Sequence, residues 1–344
     1  MSAAAPAARG AEVAALAACA DFRLAEPRQS LEARLRAARI EDGDALLDRL
    51  IERHWLDRDG DKLRLSAAGA AALLDAWAEI EGALAINPPP VDGESCPSVP
   101  WLTLVETEWI EALSFNFRVP PEALAQRLPA PLEPEVFKGF GWVQILVSSL
   151  REMRPRGLPG PAGVSFYQVS YRAAARYLSS DGAWRRGGYF LRSETNDPVM
   201  RAVGNRLTEF RFHEFGAADI VMLRDGDRLT VGIDAEAPGG KLIAVVDTTP
   251  RGQAPPQSAW GSIEELHEPL VDCCDAFGVD AEAGFLYTLS IERGSWRPRF
   301  VEADDLYCEQ FAAGAGWEGA TLDSILHIPR CPYRWLPLRR ERLA

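Results

Sequence analysis

Two short runs carry side chains able to grip a small polar molecule. They are Val164-Ser165-Phe166-Tyr167-Gln168-Val169-Ser170-Tyr171-Arg172 and Gly188-Tyr189-Phe190-Leu191-Arg192-Ser193-Glu194. Side chains alternate between the two faces of a strand. On the first run this groups Gln168 and Arg172 with Phe166. On the second it predicts one shared face for Phe190, Arg192 and Glu194. An amide and a guanidinium set among aromatic rings suit a pocket that orients a polar ligand through a few groups. The guanidinium fork matches a carboxylate. Arg172 is open to two readings: a ligand anchor, or a structural partner of Glu194 or of solvent.

The chain continues as Asn196-Asp197-Pro198-Val199-Met200-Arg201. This reads as an N-cap followed by proline at the first helical position, with Gly204 ending the helix. The free amides at such a helix start offer an anion contact, and a plain turn is the alternative. The candidate ligand-binding set is therefore Gln168, Arg172, Phe190, Arg192, Glu194, Asn196, Met200 and Arg201, with no metal and no cofactor implied. His213 is read as a core or surface histidine or as a general base. Cys273-Cys274 is expected on a helix, as packing. Lys241 is expected at the surface.

These runs must be held by a sheet, and the rest of the chain supplies one. The 344 residues allow two domains, and 47% hydrophobic with 25% charged residues is the composition of a globular protein. The net charge of −13 argues against a general nucleic-acid or anionic-membrane binder. Lysine occurs only as Lys62, Lys138 and Lys241, which leaves few amines for Schiff-base chemistry. The six cysteines show no C-x-x-C spacing and the four histidines are isolated, so a zinc site is not indicated. No secretory signal and no apolar run of membrane-spanning length is evident, and a cytoplasmic protein is expected.

Pro88-Pro89-Pro90, Pro97 and Pro100 mark a linker over 87–100. Before it, three helices are expected at 12–20, 30–39 and 45–54, then a hairpin turning at Asp59-Gly60, then a helix capped by Ser66. That order resembles a winged helix-turn-helix module over 1–86. Residues 1–85 hold 15 acidic and 11 basic side chains, a net of −4, and the wing tip reads Asp57-Arg58-Asp59-Gly60-Asp61. A helix and wing entering a DNA groove should meet phosphates with positive charge. A protein-interaction or packing role is the expectation.

After the linker, short strands and turns dominate, among them a hairpin at Asp225-Gly226-Asp227 and a capping box at Ser262–Glu265. The fold class expected is α+β: a winged-helix-like module, then an antiparallel β-barrel or cone over 101–344 with a few helices.

The stretch from Trp109 to about Phe311 resembles an uncharacterised bacterial branch of the acetoacetate decarboxylase-like superfamily. The resemblance rests on Phe115, Phe117, Val119-Pro120 and Leu124, then Leu128-Pro129. It continues with Phe137-x-Gly139-x-Gly141-Trp142-Val143, Phe166–Arg172, Gly188-Tyr189-Phe190 and Ser262-Ile263-Glu264-Glu265-Leu266. It implies a cone-like barrel with a small-molecule cavity. In true decarboxylases of this kind a lysine pair follows a proline at the start of a short helix, and one lysine forms an imine with a keto acid. Here Pro198 is followed by Val199 and Met200. The family's strand glutamate is matched by Gln168, and a histidine expected before Trp296 is matched by Arg293. Both departures at the lysine and glutamate positions weigh against imine decarboxylation.

The expected function is binding of a small anionic or keto metabolite, with a lyase- or isomerase-like reaction that forms no imine as the enzymatic form. A ligand-responsive regulator and a non-catalytic interaction protein are the alternatives, and a homo-oligomer is one expected assembly.

Overall fold

The computed structural model describes residues 6–20, 26–37, 40, 42–84, 105–156, 158, 160–206, 215–266, 269–270, 274–294, 297–336 and 338–343. The expected linker, His213 and Cys273 lie outside the described residues.

The N-terminal region is a small helical unit. Its elements are α1 (Pro6–Ala20), β1 (Glu26–Pro27), α2 (Arg28–Ala37), α3 (Gly43–Glu52), β2 (Leu56–Asp59), β3 (Lys62–Leu65) and α4 (Ala67–Leu84). Ser66 caps α4, its Oγ accepting from the Gly69 amide at 2.9 Å. The hairpin expected at Asp59-Gly60 forms between β2 and β3, and β1 adds a third antiparallel strand. Apolar residues at helical spacing give α3 one buried stripe of Leu46, Leu47 and Leu50, whereas α1 is buried at every position from Val13 to Cys19.

The rest is one 14-stranded sheet. Its strands are β4 (Val105–Val119), β5 (Glu133–Pro134), β6 (Gly141–Pro155), β7 (Val164–Leu178), β8 (Trp184–Thr195), β9 (Phe215–Asp225), β10 (Arg228–Ala235) and β11 (Leu242–Arg251). They continue with β12 (Asp275–Asp280), β13 (Phe285–Arg293), β14 (Arg299–Cys308), β15 (Thr321–Ile328), β16 (Cys331–Trp335) and β17 (Arg339–Arg342). Three short helices interrupt them: α5 (Pro121–Ala125), α6 (Pro198–Arg206) and α7 (Ile263–Leu266).

The long strands β4, β6, β7 and β8 form a shared antiparallel wall. From it two rings close. One runs from β8 through β9, β10, β11, β14 and β15 back to β4, nine strands in all. The other runs from β8 through β12, β13 and β16 back to β4, seven strands in all. Closure removes the unpaired edges that an open sheet of this size would present. The sheet is mixed and not purely antiparallel as the sequence suggested, because β8 pairs in parallel with both β9 and β12. The chain leaves β8 through α6 before returning as β9, and such a crossover is what a parallel neighbour requires.

The two faces of the shared wall differ in kind. One face carries Leu113, Phe115, Phe117, Ile145, Val147, Val169 and Tyr171 into the nine-strand ring, where Ile220, Val231, Ala244 and Val301 meet them. On the other face Ala112, Leu150 and Phe166 join Tyr287 and Leu289 of β13 and Trp335 of β16 in a cluster. That cluster is continuous with α1–α4 and with Val199 and Met200 of α6. Helix α1 packs on the 160–162 turn and on β7, and α4 packs on α6 and β6. The helical unit thus shares an apolar core with one end of the seven-strand ring.

Candidate functional site

Cross-strand partners direct their side chains to the same face, so the register of the shared wall fixes what the seven-strand ring encloses. Three rows cross β4, β6, β7 and β8. The first is Ala112, Ser148, Gln168 and Thr195. The second is Ser114, Leu146, Ser170 and Ser193. The third is Asn116, Gln144, Arg172 and Phe190. Polar side chains dominate this face, and all of them but Arg172 are buried.

The third row is a hydrogen-bonded chain. The Arg172 guanidinium donates to Gln144 Oε1, from Nε at 3.1 Å and also from one terminal nitrogen, and to the Leu270 carbonyl at 3.1 Å. Gln144 Nε2 donates to Asn116 Oδ1 at 2.9 Å, and Asn116 Nδ2 to Ser324 Oγ at 3.2 Å. Ser114 Oγ donates to the same Asn116 Oδ1 at 2.9 Å. The chain ties β7 to β6, β4 and β15. A Cβ on Gly188 would come within 2.6 Å of Arg172 Cγ, so the arginine stem lies flat on a glycine. Only a residue without a side chain leaves that space.

The first two rows are different. Ser148, Gln168 and Ser170 are buried, yet their side chains make no hydrogen bond to a described residue. Their polar atoms are not among the fully enclosed ones left without a partner, so they border open space rather than apolar packing. Three such groups on neighbouring positions of β6 and β7 form a concentration of unused hydrogen-bonding capacity, adjoining the Arg172 chain.

The second predicted face is divided by a β-bulge. Between Tyr171 and Arg172 the register with β8 slips by one residue, so Tyr171 opposes Arg192 while Arg172 opposes Phe190. The extra residue inverts alternation beyond it. Phe190 therefore stays with Arg172 and Gln168, as expected, whereas Arg192 and Glu194 leave from the opposite face, into the nine-strand ring. There they form a buried ion pair with each other, and the structural pairing of Arg172 with Glu194 is not formed. Arg192 also donates to the Pro238 carbonyl at 2.9 Å and stacks 5.0 Å from the Tyr171 ring centroid. Burial raises the Glu194 carboxyl above its ordinary range although Arg192 opposes this, and burial likewise raises the Tyr171 phenol. The neighbouring Cys308 thiol is pushed up by burial to about 11, which makes it a poor nucleophile.

The residues at the start of α6 make contacts within the chain. Asn196 Oδ1 accepts the Tyr167 amide at 2.9 Å and Thr195 Oγ1 donates to the Tyr167 carbonyl at 2.9 Å, closing β8 onto β7. Asp197 Oδ1 accepts the Met200 amide at 2.8 Å, the expected N-cap. This carboxylate already occupies the helix start, so the anion contact proposed there is filled from within. Helix α6 runs on through Gly204 to Arg206, because Asn205 clamps the Phe215 backbone at 2.7 and 3.1 Å and continues the turn. Val199 and Met200 are buried in the core shared with the helical unit. Arg201 is half-buried on α6.

Lys62, Lys138 and Lys241 are all exposed, and Lys138 pairs with Glu265 at 3.0 Å, so none faces the interior of either ring. Cys274 directly precedes β12 and is not on a helix, and its Sγ accepts from Arg293 at 3.1 Å. Among the described residues no group of three or more His, Cys, Asp or Glu could hold a metal, and no helix is long and apolar enough to cross a membrane.

Sequence reasoning passed over Ser114, Asn116, Gln144, Ser148 and Ser170. The signal was present in Ser114-Phe115-Asn116-Phe117, where polar and aromatic residues alternate strictly. In Gly141–Ser149 the many apolar residues hid the same alternation.

None of the curated proteins matches the chain. Among solved structures it is similar to acetoacetate decarboxylase from Legionella pneumophila, with 15% identity, a TM-score of 0.47, and coverage of 77% of this chain and 95% of that one. It is similar to an acetoacetate decarboxylase-like enzyme from Sphingomonas wittichii RW1, with 12% identity, a TM-score of 0.46, and coverage of 70% and 94%. It is also similar to the enduracididine biosynthesis enzyme MppR complexed with pyruvate, with 14% identity, a TM-score of 0.44, and coverage of 72% and 93%. The family model that matches spans residues 106–329, from the first strand of the shared wall through the strand that closes the nine-strand ring, and by it the chain belongs to the DUF2071 family of uncharacterised conserved proteins.

Proposed function

We propose that the polar face inside the seven-strand ring binds a small organic acid or keto metabolite, and that any reaction there proceeds without an imine. The observation that carries this is the set Ser148, Gln168 and Ser170, buried residues beside the Arg172 chain whose side chains form no hydrogen bond among the described residues. A ligand carbonyl or carboxylate satisfies such groups, and the Arg172 charge favours an anion. Phe190 supplies an apolar wall next to Arg172. No lysine is within the ring to condense with a ketone. Arg192 and Glu194 face the nine-strand ring and lie outside this polar face, and Asn196 ties β8 to β7.

The experiment is thermal denaturation with pyruvate, acetoacetate and succinate, for wild type and for Arg172→Met. Wild type gains melting temperature with at least one acid, and the variant loses that gain while still folding. Absence of any gain with all three acids at millimolar concentration refutes the reading.

We read residues 1–86 as a winged-helix-like domain, 87–100 as a linker and 101–344 as the β-domain. The order α1-β1-α2-α3-β2-β3-α4 with a three-stranded antiparallel sheet supports the first assignment. A regulator whose output is this helical unit is the second reading. One observation favours it: Phe166, Val199 and Met200 share a single core with α1, α3 and α4, so occupancy of the ring bears on the packing of the helices. Slower hydrogen exchange in α1 on acid binding would support it, and unchanged exchange there would remove it.

A further inference from the structure

The polar face inside the seven-strand ring is a strip with two closed ends. Strands β6 and β7 pair without irregularity from Val143–Ala173 to Leu150–Phe166. Arg172, Ser170 and Gln168 therefore follow one another on one face at about 6.7 Å per two residues, roughly 13 Å from first to last. The Arg172 guanidinium stays over its own row, bonded to Gln144. Its stem leans toward Gly188, the partner of Ala174, and so away from Gln168. Beyond Gln168 the next row is Leu150 and Phe166, buried in the core shared with the helical unit. Beyond Arg172, Trp142 and Ala174 pack with Leu266 and Leu270.

We propose that this strip holds an unbranched hydroxylated acid of about five or six carbons, an aldonic-type acid, with its carboxylate at Arg172 and its hydroxyls along Ser170, Ser148 and Gln168. This rests on the organic-acid reading above and narrows it to one chemical class. Hydrogen bonds of about 2.9 Å at each end leave roughly 7–8 Å of the strip for the ligand itself. An extended chain of carbon–carbon bonds near 1.5 Å advances about 1.3 Å per bond, so about five or six carbons with their terminal oxygens fill that length. A three-carbon acid held at Arg172 ends near Ser170 and leaves Ser148 and Gln168 bare.

The groups along the strip select hydroxyls. Ser148, Gln168 and Ser170 are 3%, 8% and 2% exposed, carry no charge, and form no hydrogen bond among the described residues. A serine hydroxyl and a side-chain amide each both donate and accept, which matches a ligand hydroxyl. A hydrocarbon tail in the same place would leave all three unpaired, and a site built from such groups rejects the analogue that lacks the matching hydroxyl. A second carboxylate beside Gln168 would be buried without a counter-ion, because no member of the first two rows is basic. One carboxylate followed by hydroxyls meets both conditions.

Isothermal titration calorimetry of the full chain with lactate, gluconate, hexanoate and adipate tests this. Wild type should bind gluconate at least about tenfold more tightly than lactate, the scale of added hydrogen bonds to uncharged groups. Hexanoate and adipate should bind no more tightly than lactate. Gln168→Met and Ser148→Ala should each cut the preference for gluconate over lactate by about threefold or more, whereas Arg172→Met should weaken both acids. Ser148→Ala removes a single hydroxyl and decides the question if Gln168→Met does not fold. Lactate, hexanoate or adipate bound as tightly as gluconate overturns the inference and leaves an organic-acid site standing. So does a preference unchanged in the folded variants. Binding of none of the four acids by wild type removes the organic-acid reading together with this one.

Discussion

Arg172 and Arg192 lie on paired neighbouring strands, yet their side chains leave the sheet on opposite faces, because one bulged residue intervenes between the pairs Tyr171–Arg192 and Arg172–Phe190. The consequence is a division of labour. Arg172 belongs to the polar chain of the seven-strand ring, and Arg192 neutralises Glu194 inside the nine-strand ring. Two arginines that look equivalent in sequence therefore serve a candidate ligand site and a buried structural pair.

Gly188→Ala should perturb the candidate site from beneath. The new methyl overlaps the Arg172 stem, and overpacking of this kind costs about 1–3 kcal/mol. Urea denaturation of Gly188→Ala, Arg172→Met and the double variant gives the test. The double variant should be less destabilised than the sum of the two, since removing the tethered guanidinium frees the stem to move. Strict additivity would show that Gly188 does not act through Arg172.

No imine should form. Borohydride reduction in the presence of acetoacetate, followed by intact-mass measurement, should leave the protein mass unchanged. The three lysines are solvent-exposed and none lines either ring, so none is positioned against a bound keto acid. A stoichiometric adduct on Lys138 or Lys241 would contradict this.

Glu194 should make wild-type stability fall as pH rises. Burial raises its carboxyl in the folded state while Arg192 opposes the rise. In the interval between the unfolded and the raised folded value, the folded protein holds a proton that the unfolded chain does not. Stability then declines with pH across that interval and is fully present only below the unfolded value. Glu194→Gln lacks this slope. The difference in unfolding free energy between wild type and Glu194→Gln should therefore move in favour of wild type from pH 7 to pH 4.5, provided the remaining acids contribute equally to both.

The helical unit should not bind duplex DNA at physiological salt. On the exposed side of α3, Asp44 and Asp48 are held by Arg28, at 2.6 Å for Asp48, so that arginine is committed within the unit. Binding to random duplex requires phosphate neutralisation and falls steeply with salt. A salt-sensitive mobility shift at micromolar protein would overturn this.

Disruption of Asp323 should be costly. Its carboxylate is fully buried, accepts from Ser258 Oγ and the Ala259 amide at 2.7 Å each, and pairs with Arg118 at 3.2 Å. Asp323→Ala strands Arg118 and frees the 255–262 loop. The expected loss is about 3–5 kcal/mol, the range for breaking a buried pair by removing one partner, read by urea denaturation.

Local chemistry settled the elements. Strict alternation in Phe115 and Phe117 wrote a strand, Asp225-Gly226-Asp227 a hairpin, Ser66 and Asp197 two helix starts, and the order of helices and hairpin a small module ahead of a β-rich domain. The absence of lysine beside Pro198 was likewise legible, because residue type alone excludes an imine there. Position in space was not. A bulge costs one residue and leaves no composition signal, so the face of Arg192 and Glu194 followed from pairing geometry alone. Ring closure by β15 on β4 joins residues some two hundred positions apart, a contact that no local propensity encodes. Gln144, Ser148 and Ser170 looked like ordinary polar residues in strands. Only the stacking of β4, β6, β7 and β8 in register placed them side by side on one buried face, Gln144 bonded to Arg172 and Asn116 and the two serines with hydrogen-bonding capacity to spare, which is the physical condition that turns polar residues into a candidate site.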